Sequence, residues 1–516
     1  MQHKNKQALT RLINREPIQM RYFILTILLF LTFSISAQKK TTIHILNADR
    51  ADYDERLGRD VQRLIGNVVM RQDSTYFYSD SAYYNERTKF FDGFGNVHIN
   101  VNDSVDIYSK VLKYNGETKF AELLYDVVLK DDSTVLKTQY MTYDRNEHLA
   151  TYPNKGTITR NDKKLISKKG YYRDDIKVIY FRKDVVGTMP DYKIVSDTLV
   201  YDTENEMMYF YGPTDIYNKE NTLTGNYGWY NTETELAYLD RRATLKNKEQ
   251  SMTADTMYYN KKTGYAKALS DVVIVDTTNK AILKGEYAEL WKNIGKCLIT
   301  DNLRAIYHKE IDTLFAKADT MYVYFDTVSN DIQRIKAFHN VRFFRNDVQG
   351  KCDSLHYVLT DSMAYMRKSP VIWAEDTQLS GDSINIKTRG QSIETLMMLP
   401  NAFVIQQDSI KGFNQVKGKK ITTYFKGNDI DNMYNEGNAE TIYWLRDDDG
   451  SLIGVNFSQS SEMDIKIRNR QISNIRFYQN IKETLYPEEQ LKDNMEYLKG
   501  FLWQEEEKPV RGEFRR

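Results

Sequence analysis

The sequence predicts an all-β protein made of stacked, repeating units, and three observations predict it. The first is a period. Tyr114, Tyr143, Tyr172, Tyr201, Tyr230 and Tyr259 follow one another at intervals of 29 residues, and Tyr84 lies 30 before Tyr114. A near-constant period of this size marks a chain in which each copy stacks on the next and shares its core. The second is the form of the copy. Thr253–Val275 holds a strand-like run ending at Tyr259-Asn260, a Lys261-Lys262-Thr263-Gly264 turn, a second run from Tyr265, and Ser270-Asp271 before Val272–Val275. β-Branched and aromatic residues broken by turn formers suit a pleated, half-buried surface. The third is alternation. Val97, Ile99 and Val101 interleave with His98, Asn100 and Asn102, a period of two that gives one dry face and one wet face. Gly66-Asn67 and Gly95-Asn96 supply backbone freedom just before such strands.

Composition narrows the class. Length alone, at 516 residues, suggests about three or four domains, but stacked copies share one core. The 38 tyrosines and only 8 prolines favour sheet over linker. The 72 basic and 71 acidic residues cancel to +1 with no basic stripe, so nucleic acid is not an expected partner. Near the start, Arg21, the apolar run Tyr22–Phe33 and the small residues Ser34–Ala37 have the form of a secretory signal peptide over residues 1–37, with Met20 as an alternative start. The apolar run is shorter than the roughly 20 residues of a spanning helix, and no cysteine near the cut offers a lipid attachment point. The two cysteines, Cys297 and Cys352, fall in different phases of the repeat and are expected to be free, half-buried thiols.

Asp60–Val69, together with Asp80–Asn85 and Gly95–Ile99, resembles the OstA-like family of Bacteroidetes-type Gram-negative bacteria, relatives of LptA, the periplasmic lipopolysaccharide-bridge protein. Copies recur over roughly 42–480, and Leu498–Trp503 resembles that family's closing segment. The resemblance implies an elongated β-jellyroll of two facing antiparallel sheets, open along one side, with lipid acyl chains in the groove between them. It also implies the partners: lipopolysaccharide through its lipid A moiety, other Lpt-type transport proteins by end-to-end β-strand addition, and an outer-membrane translocon. The location it implies is the periplasm, in association with the outer membrane. The residues are compatible with this, since 29 of them accommodate two strands of about eleven, one per sheet, with short turns.

The expected organisation is a signal peptide over 1–37, first copies over 38–215, middle copies over 216–345, divergent copies over 346–485, and an amphipathic helix with a charged tail over 486–516. The later copies drift to spacings of 29 to 34. Asp447–Gly450 forms a hairpin tip between Thr441–Leu445 and Leu452–Phe457. Pro487-Glu488-Glu489 starts the last helix, and Leu491, Met495 and Leu498 give it an apolar stripe.

Nothing in the motifs points to catalysis. The 7 histidines are scattered without zinc-protease spacing, and there is no phosphate loop, dinucleotide fingerprint or nucleophile elbow. No enzyme activity, metal or cofactor is expected. Asp followed by Ser or Thr recurs at 80, 197, 255, 319, 353 and 382. A row of carboxylates there would repel, so these read as turn caps rather than a metal or sugar site. The tyrosines read as ladders between neighbouring strands rather than as a sugar-stacking face. The candidate groove lining is Val97, Ile99, Val127, Leu129, Val272, Ile274, Val341 and Phe343. Plain core is the alternative destination of such residues. Geometry separates the two: sheets packed about 10 Å apart leave no room, whereas splayed sheets leave an apolar trough. The expected function is thus lipopolysaccharide binding and transport, with a structural or glycan-binding β-solenoid at the cell surface as the alternative.

Overall fold

The computed structural model describes residues 42–53, 58, 60–308, 312–390, 392–408, 410–427, 429–447, 449–468, 471–492 and 495–515. The expected signal peptide lies outside them. The chain divides into two compact units. One runs to Asp132 and includes Thr142–Asn146; the other holds Ser133–Met141 and everything from Glu147.

In the first unit Val61–Gln72, Thr75–Asn85, Phe90–Val101, Val105–Asn115 and Phe120–Asp131 pair antiparallel in chain order. Each ladder skips at one level: between Ile65 and Val68, Tyr78 and Ser81, Phe94 and Val97, and Tyr108 and Val111. At that level Gly66-Asn67, Gly95-Asn96 and Tyr125-Asp126 have positive φ. Tyr114 is in register with Phe91, and Phe91 with Tyr84, seven residues along its strand from Phe77. Seven residues of flat strand span about 23 Å. The Phe77 and Tyr114 rings are 4.7 Å apart. Every strand is therefore folded over at its skip, and its two halves belong to two facing walls. Wall A holds the halves 68–72, 75–79, 97–101, 105–109 and 127–131; wall B holds 61–65, 81–85, 90–94, 111–115 and 120–124.

This corrects the expectation of one strand per sheet. The Gly-Asn pairs mark a mid-strand corner, not the approach to a strand. The corner also explains the recurring aspartates. The side-chain amide of Asn96 donates to Asp80 at 2.9 Å, that of Asn67 to Asp49 at 3.0 Å, and that of Asn401 to Asp382 at 2.9 Å. Each carboxylate ties its strand to the corner of a neighbour instead of capping its own turn. At Gly95, with φ +70°, a Cβ would come within 2.3 Å of Asp80 Oδ2, so only glycine fits beneath the tie.

The second unit repeats the bent strand from Val178–Thr188 to Val348–Val358. From Met363 the path changes. Short hairpins are laid alternately on the two walls: Val371–Ala374 with Thr377–Ser380, Ser383–Arg389 with Ser392–Leu399, and Ala402–Gln407 with Phe413–Gly418. Both ladders continue, but the chain no longer crosses the corner on every pass, which widens the spacing. Bent strands return as Asp429–Arg446 and Leu452–Arg468, joined where Asp447 N–H donates to Ser451 O at 2.9 Å. This is the expected hairpin tip; Asp448 lies outside the described residues.

The C-terminal helix is present only as short 3-10 turns, Glu488–Gln490, Glu505–Glu507 and Arg511–Phe514. The amphipathic helix expected over the Leu491–Leu498 stripe is not among the described elements, although Leu491 and Leu498 do pack on Ile442, Trp444 and Val455. Side chains of wall A compete for the backbone here. Gln415 Nε2 donates to Glu496 O at 2.8 Å and its Oε1 accepts from Leu498 N–H at 2.9 Å. Gln378 does the same with Leu502 O and Gln504 N–H, at 2.7 and 2.8 Å. The segment is thereby held as an extended strap on the outside of wall A, covering Trp373. Lys317 and Arg342 hold its far end through Glu513, at 2.7 and 3.1 Å.

Candidate functional site

The space between the walls changes character along the chain. In the first unit it is filled. Phe77, Phe91 and Tyr114 meet with centroids 4.7 to 5.1 Å apart, joining wall A to wall B. The free edges of the walls are also tied. Tyr114 Oη donates to Gln72 Oε1 at 2.5 Å, the Arg145 guanidinium donates to Tyr114 Oη at 2.7 Å, and Lys119 pairs with Asp73 at 2.8 Å. Burial pushes the Tyr114 hydroxyl up to about 12.

The second unit opens with the same device. Lys163 Nζ, on the wall A side, reaches Glu206 on the wall B side at 2.6 Å. Tyr201 Oη and Thr232 Oγ1 each donate to that carboxylate at 2.6 Å. Burial alone would raise the Glu206 carboxyl, but the hydrogen bonds from Lys163, Thr232 and Tyr201 hold it down at about 2. Next along, the Tyr192 ring packs on Tyr230 at 5.2 Å, with Lys261 Nζ 5.0 Å from its centre. The tyrosines of the 29-residue period point inward; Tyr84, Tyr114, Tyr143, Tyr172, Tyr201 and Tyr230 are all buried. They are not a sugar-stacking face, and the contacts of Tyr114 and Tyr230 run across the interior to wall A.

Beyond Tyr259 the filling thins out. Several inward positions are small and still buried, as at Ala266, Ala268, Ala288 and Ala337, while Leu283, Ala305, Leu314, Ala316 and Phe343 are only half-buried. Clefts open between the walls. One of about 370 Å³ lies by Ile216, Leu223 and Tyr259. A second, of about 300 Å³, separates Val348 and Ile372 from Ile393 and Phe425. A third, of about 670 Å³ with the space open to solvent included, lies between Val404 and Val416 on one side and Ile430, Met433 and Ile467 on the other.

All eight candidate lining residues face inward from wall A. Val97, Ile99, Val127 and Leu129 are packed solid, with no more than 1% exposed. Val272 and Val341 are buried too, while Ile274 and Phe343 are half-buried. The inward positions of wall B at Ala266, Ala268 and Ala337 continue the same alternation, and all three are buried. Cys297 and Cys352 are free, as expected, but buried rather than half-buried. Burial pushes both thiols up to about 12 and leaves them unreactive. Among the described residues no group of three or more His, Cys, Asp or Glu could hold a metal ion. No helix among them is long and apolar enough to cross a membrane.

Two facing walls made from one folded antiparallel sheet, with apolar clefts where they part, define a β-jellyroll. Residues 40–197 and 194–255 match the OstA-like protein family. A crystal structure of LptH from Pseudomonas aeruginosa, described as the LptA homologous periplasmic component of the conserved lipopolysaccharide transport device, aligns at 14% identity and a TM-score of 0.22. The alignment covers 27% of this chain and 95% of that one. No curated protein matches the sequence.

Proposed function

We propose that this protein is a periplasmic lipid carrier that shields the acyl chains of lipopolysaccharide in the trough of its second unit, between Tyr259 and Ile472. The observation that carries the proposal is the change of interior there, from cross-wall rings and latches to alanines and apolar clefts. Sinking acyl chains into such a trough stabilises by about 0.8 kcal/mol per methylene removed from water. A trough open along one side leaves the sugar head in solvent and lets the chains be handed on. The OstA-like segment, 40–255, holds the cross-wall latches of Tyr114 and Glu206 and, near its end, the cleft by Ile216 and Leu223. The strands His44–Asn47 and Lys482–Tyr486, each paired along one side among the described residues, offer backbone groups to Lpt-type neighbours by strand addition.

The test is a photo-crosslinking amino acid at Ile274, Phe343 and Ile99 in cells that make lipopolysaccharide. Adducts are expected at Ile274 and Phe343 and not at Ile99. No adduct at either trough position, with the protein folded and exported, sinks the proposal in favour of a scaffold.

A further inference from the structure

The outer faces of the two walls differ in a way that sheet pairing does not require. Over strands 207–338 the solvent face of wall B is aromatic. Tyr209, Trp229, Tyr238 and Tyr258 form one cross-strand row, pairing directly in that order. Trp229 and Tyr238 are 6.1 Å apart, and Tyr238 and Tyr258 4.9 Å. Tyr287 and Tyr322 continue this face on later strands. The other halves of the same strands, on wall A, show Thr224, Thr244, Thr253, Val273, Lys284 and Arg304 to solvent, and beside them a half-buried row of Val275, Ile282, Ile306 and Phe315 paired in that order. That row is aliphatic up to Phe315, whose ring lies 6.3 Å from Phe514 of the strap, so the continuous row of rings belongs to wall B.

The aromatic face also carries cations. Lys267 Nζ lies 5.5 Å from the Tyr287 ring centre, Lys296 Nζ 4.8 Å from Trp291 and 4.9 Å from Tyr322, and Arg334 4.4 Å from Tyr324. With Lys336 these bases outnumber the acids of that face, Asp240 and Glu289. Glu289 is engaged in accepting from the hydroxyls of Tyr265 and Tyr287.

We infer that this outer face of wall B docks on an anionic phospholipid bilayer. Tyrosine and tryptophan settle at the headgroup level with their rings in the apolar boundary and their polar ends wet. Lysine and arginine stems cover apolar surface while their heads reach phosphate. Each base near an anionic surface contributes about 1 kcal/mol, or roughly five-fold in affinity. The bases set among the rings, Lys267, Lys296 and Arg334, favour a phosphate-bearing surface over a neutral glycan as occupant. This site is separate from the trough and needs no lipid inside it.

The experiment is flotation of the full chain with vesicles of phosphatidylethanolamine and phosphatidylglycerol, beside neutral phosphatidylcholine vesicles. The protein should float with the anionic vesicles and shift its tryptophan emission to the blue, and Trp229→Phe with Trp291→Phe should abolish the shift. The triple reversal Lys267→Glu, Lys296→Glu, Arg334→Glu should weaken binding at least ten-fold. The wall A reversals Lys246→Glu, Lys284→Glu, Arg304→Glu should not. Both sets alter half-exposed or exposed side chains, so circular dichroism is expected to show folded proteins throughout. Ala316→Phe, which narrows the trough, should float unchanged. No flotation, equal loss from both reversal sets, loss on filling the trough, or retention of soluble glycan without vesicle binding would each overturn the inference.

Discussion

The hydroxyl of Tyr114, on wall B, donates at 2.5 Å to Oε1 of Gln72, on wall A. Arg145 donates to both, at 2.7 Å to the hydroxyl and 3.2 Å to Oε1, so one buried polar knot fastens the free edges of the first unit. Tyr114→Phe keeps the ring but removes this junction and strands part of the Arg145 guanidinium. A loss of about 1–3 kcal/mol is expected, read as an earlier denaturant midpoint with an unchanged slope.

Alkaline stability follows from the same residue. Its folded value of about 12 exceeds the ordinary tyrosine value of 10, because burial opposes the phenolate. The neutral form belongs to the folded state, so its contribution is full below pH 10 and disappears as pH climbs towards 12. Tyr152, also pushed up to about 12 by burial, acts in the same window in the second unit. Tyrosinate absorbance should rise together with loss of near-ultraviolet dichroism, and ionisation at pH 10 with the fold intact would contradict this.

Acid should act at the Glu206 latch. With its carboxyl held at about 2 against the ordinary 4.5, the latch favours the fold fully above pH 4.5 and fades as pH falls towards 2. Glu206→Gln should remove much of this acid sensitivity and lower stability at pH 7. An unchanged difference in stability between pH 7 and pH 3 would show the latch to be idle.

Ala305 and Ala316 are paired neighbours facing the trough and are half-buried. Ala316→Phe should therefore cost less than about 1 kcal/mol while markedly reducing retention of a fluorescent fatty acid. Ala82→Phe, in the filled first unit, should cost about 1–3 kcal/mol, as overpacking does, with no direct effect on retention. Thermal melts and a retention assay on both variants separate seat from core.

The strap is expected to peel before the walls do. Gln378→Ala removes both bonds to Leu502 and Gln504, and Trp373, now 1% exposed, should become quenchable by iodide. Proteolysis should quicken within 503–511, while the β-sheet dichroism holds.

The stacked β architecture was legible because the period tyrosines occupy one structural place, inward on wall B beside a turn, and any copy needs a large side chain there. The corner was not. A glycine-asparagine pair with positive φ gives the same local signal whether it precedes a strand or folds one in the middle. The wall-to-wall hairpins of 363–426 were equally hidden, since Val371–Ala374 and Ser383–Arg389 use the same residue types on different walls. The lining was half legible: Val97, Ile99, Val127, Leu129, Val272, Ile274, Val341 and Phe343 all face inward, but apolar character cannot tell a residue packed against its opposite from one facing a gap. That distinction resides in what stands opposite: Tyr114 packs on Phe77, whereas Val348 and Ile372 face Ile393 and Phe425 across a cleft.

Because each bent strand carries its own fold line, at Gly95-Asn96 and its counterparts, the angle at which such a rung stands open is decided locally. A rung can splay by exchanging a ring for a methyl group while its backbone ladder stays whole. Bore and backbone are thus independent variables, and a lineage could tune the calibre of such a duct one rung at a time, as a tailor lets out a single pleat.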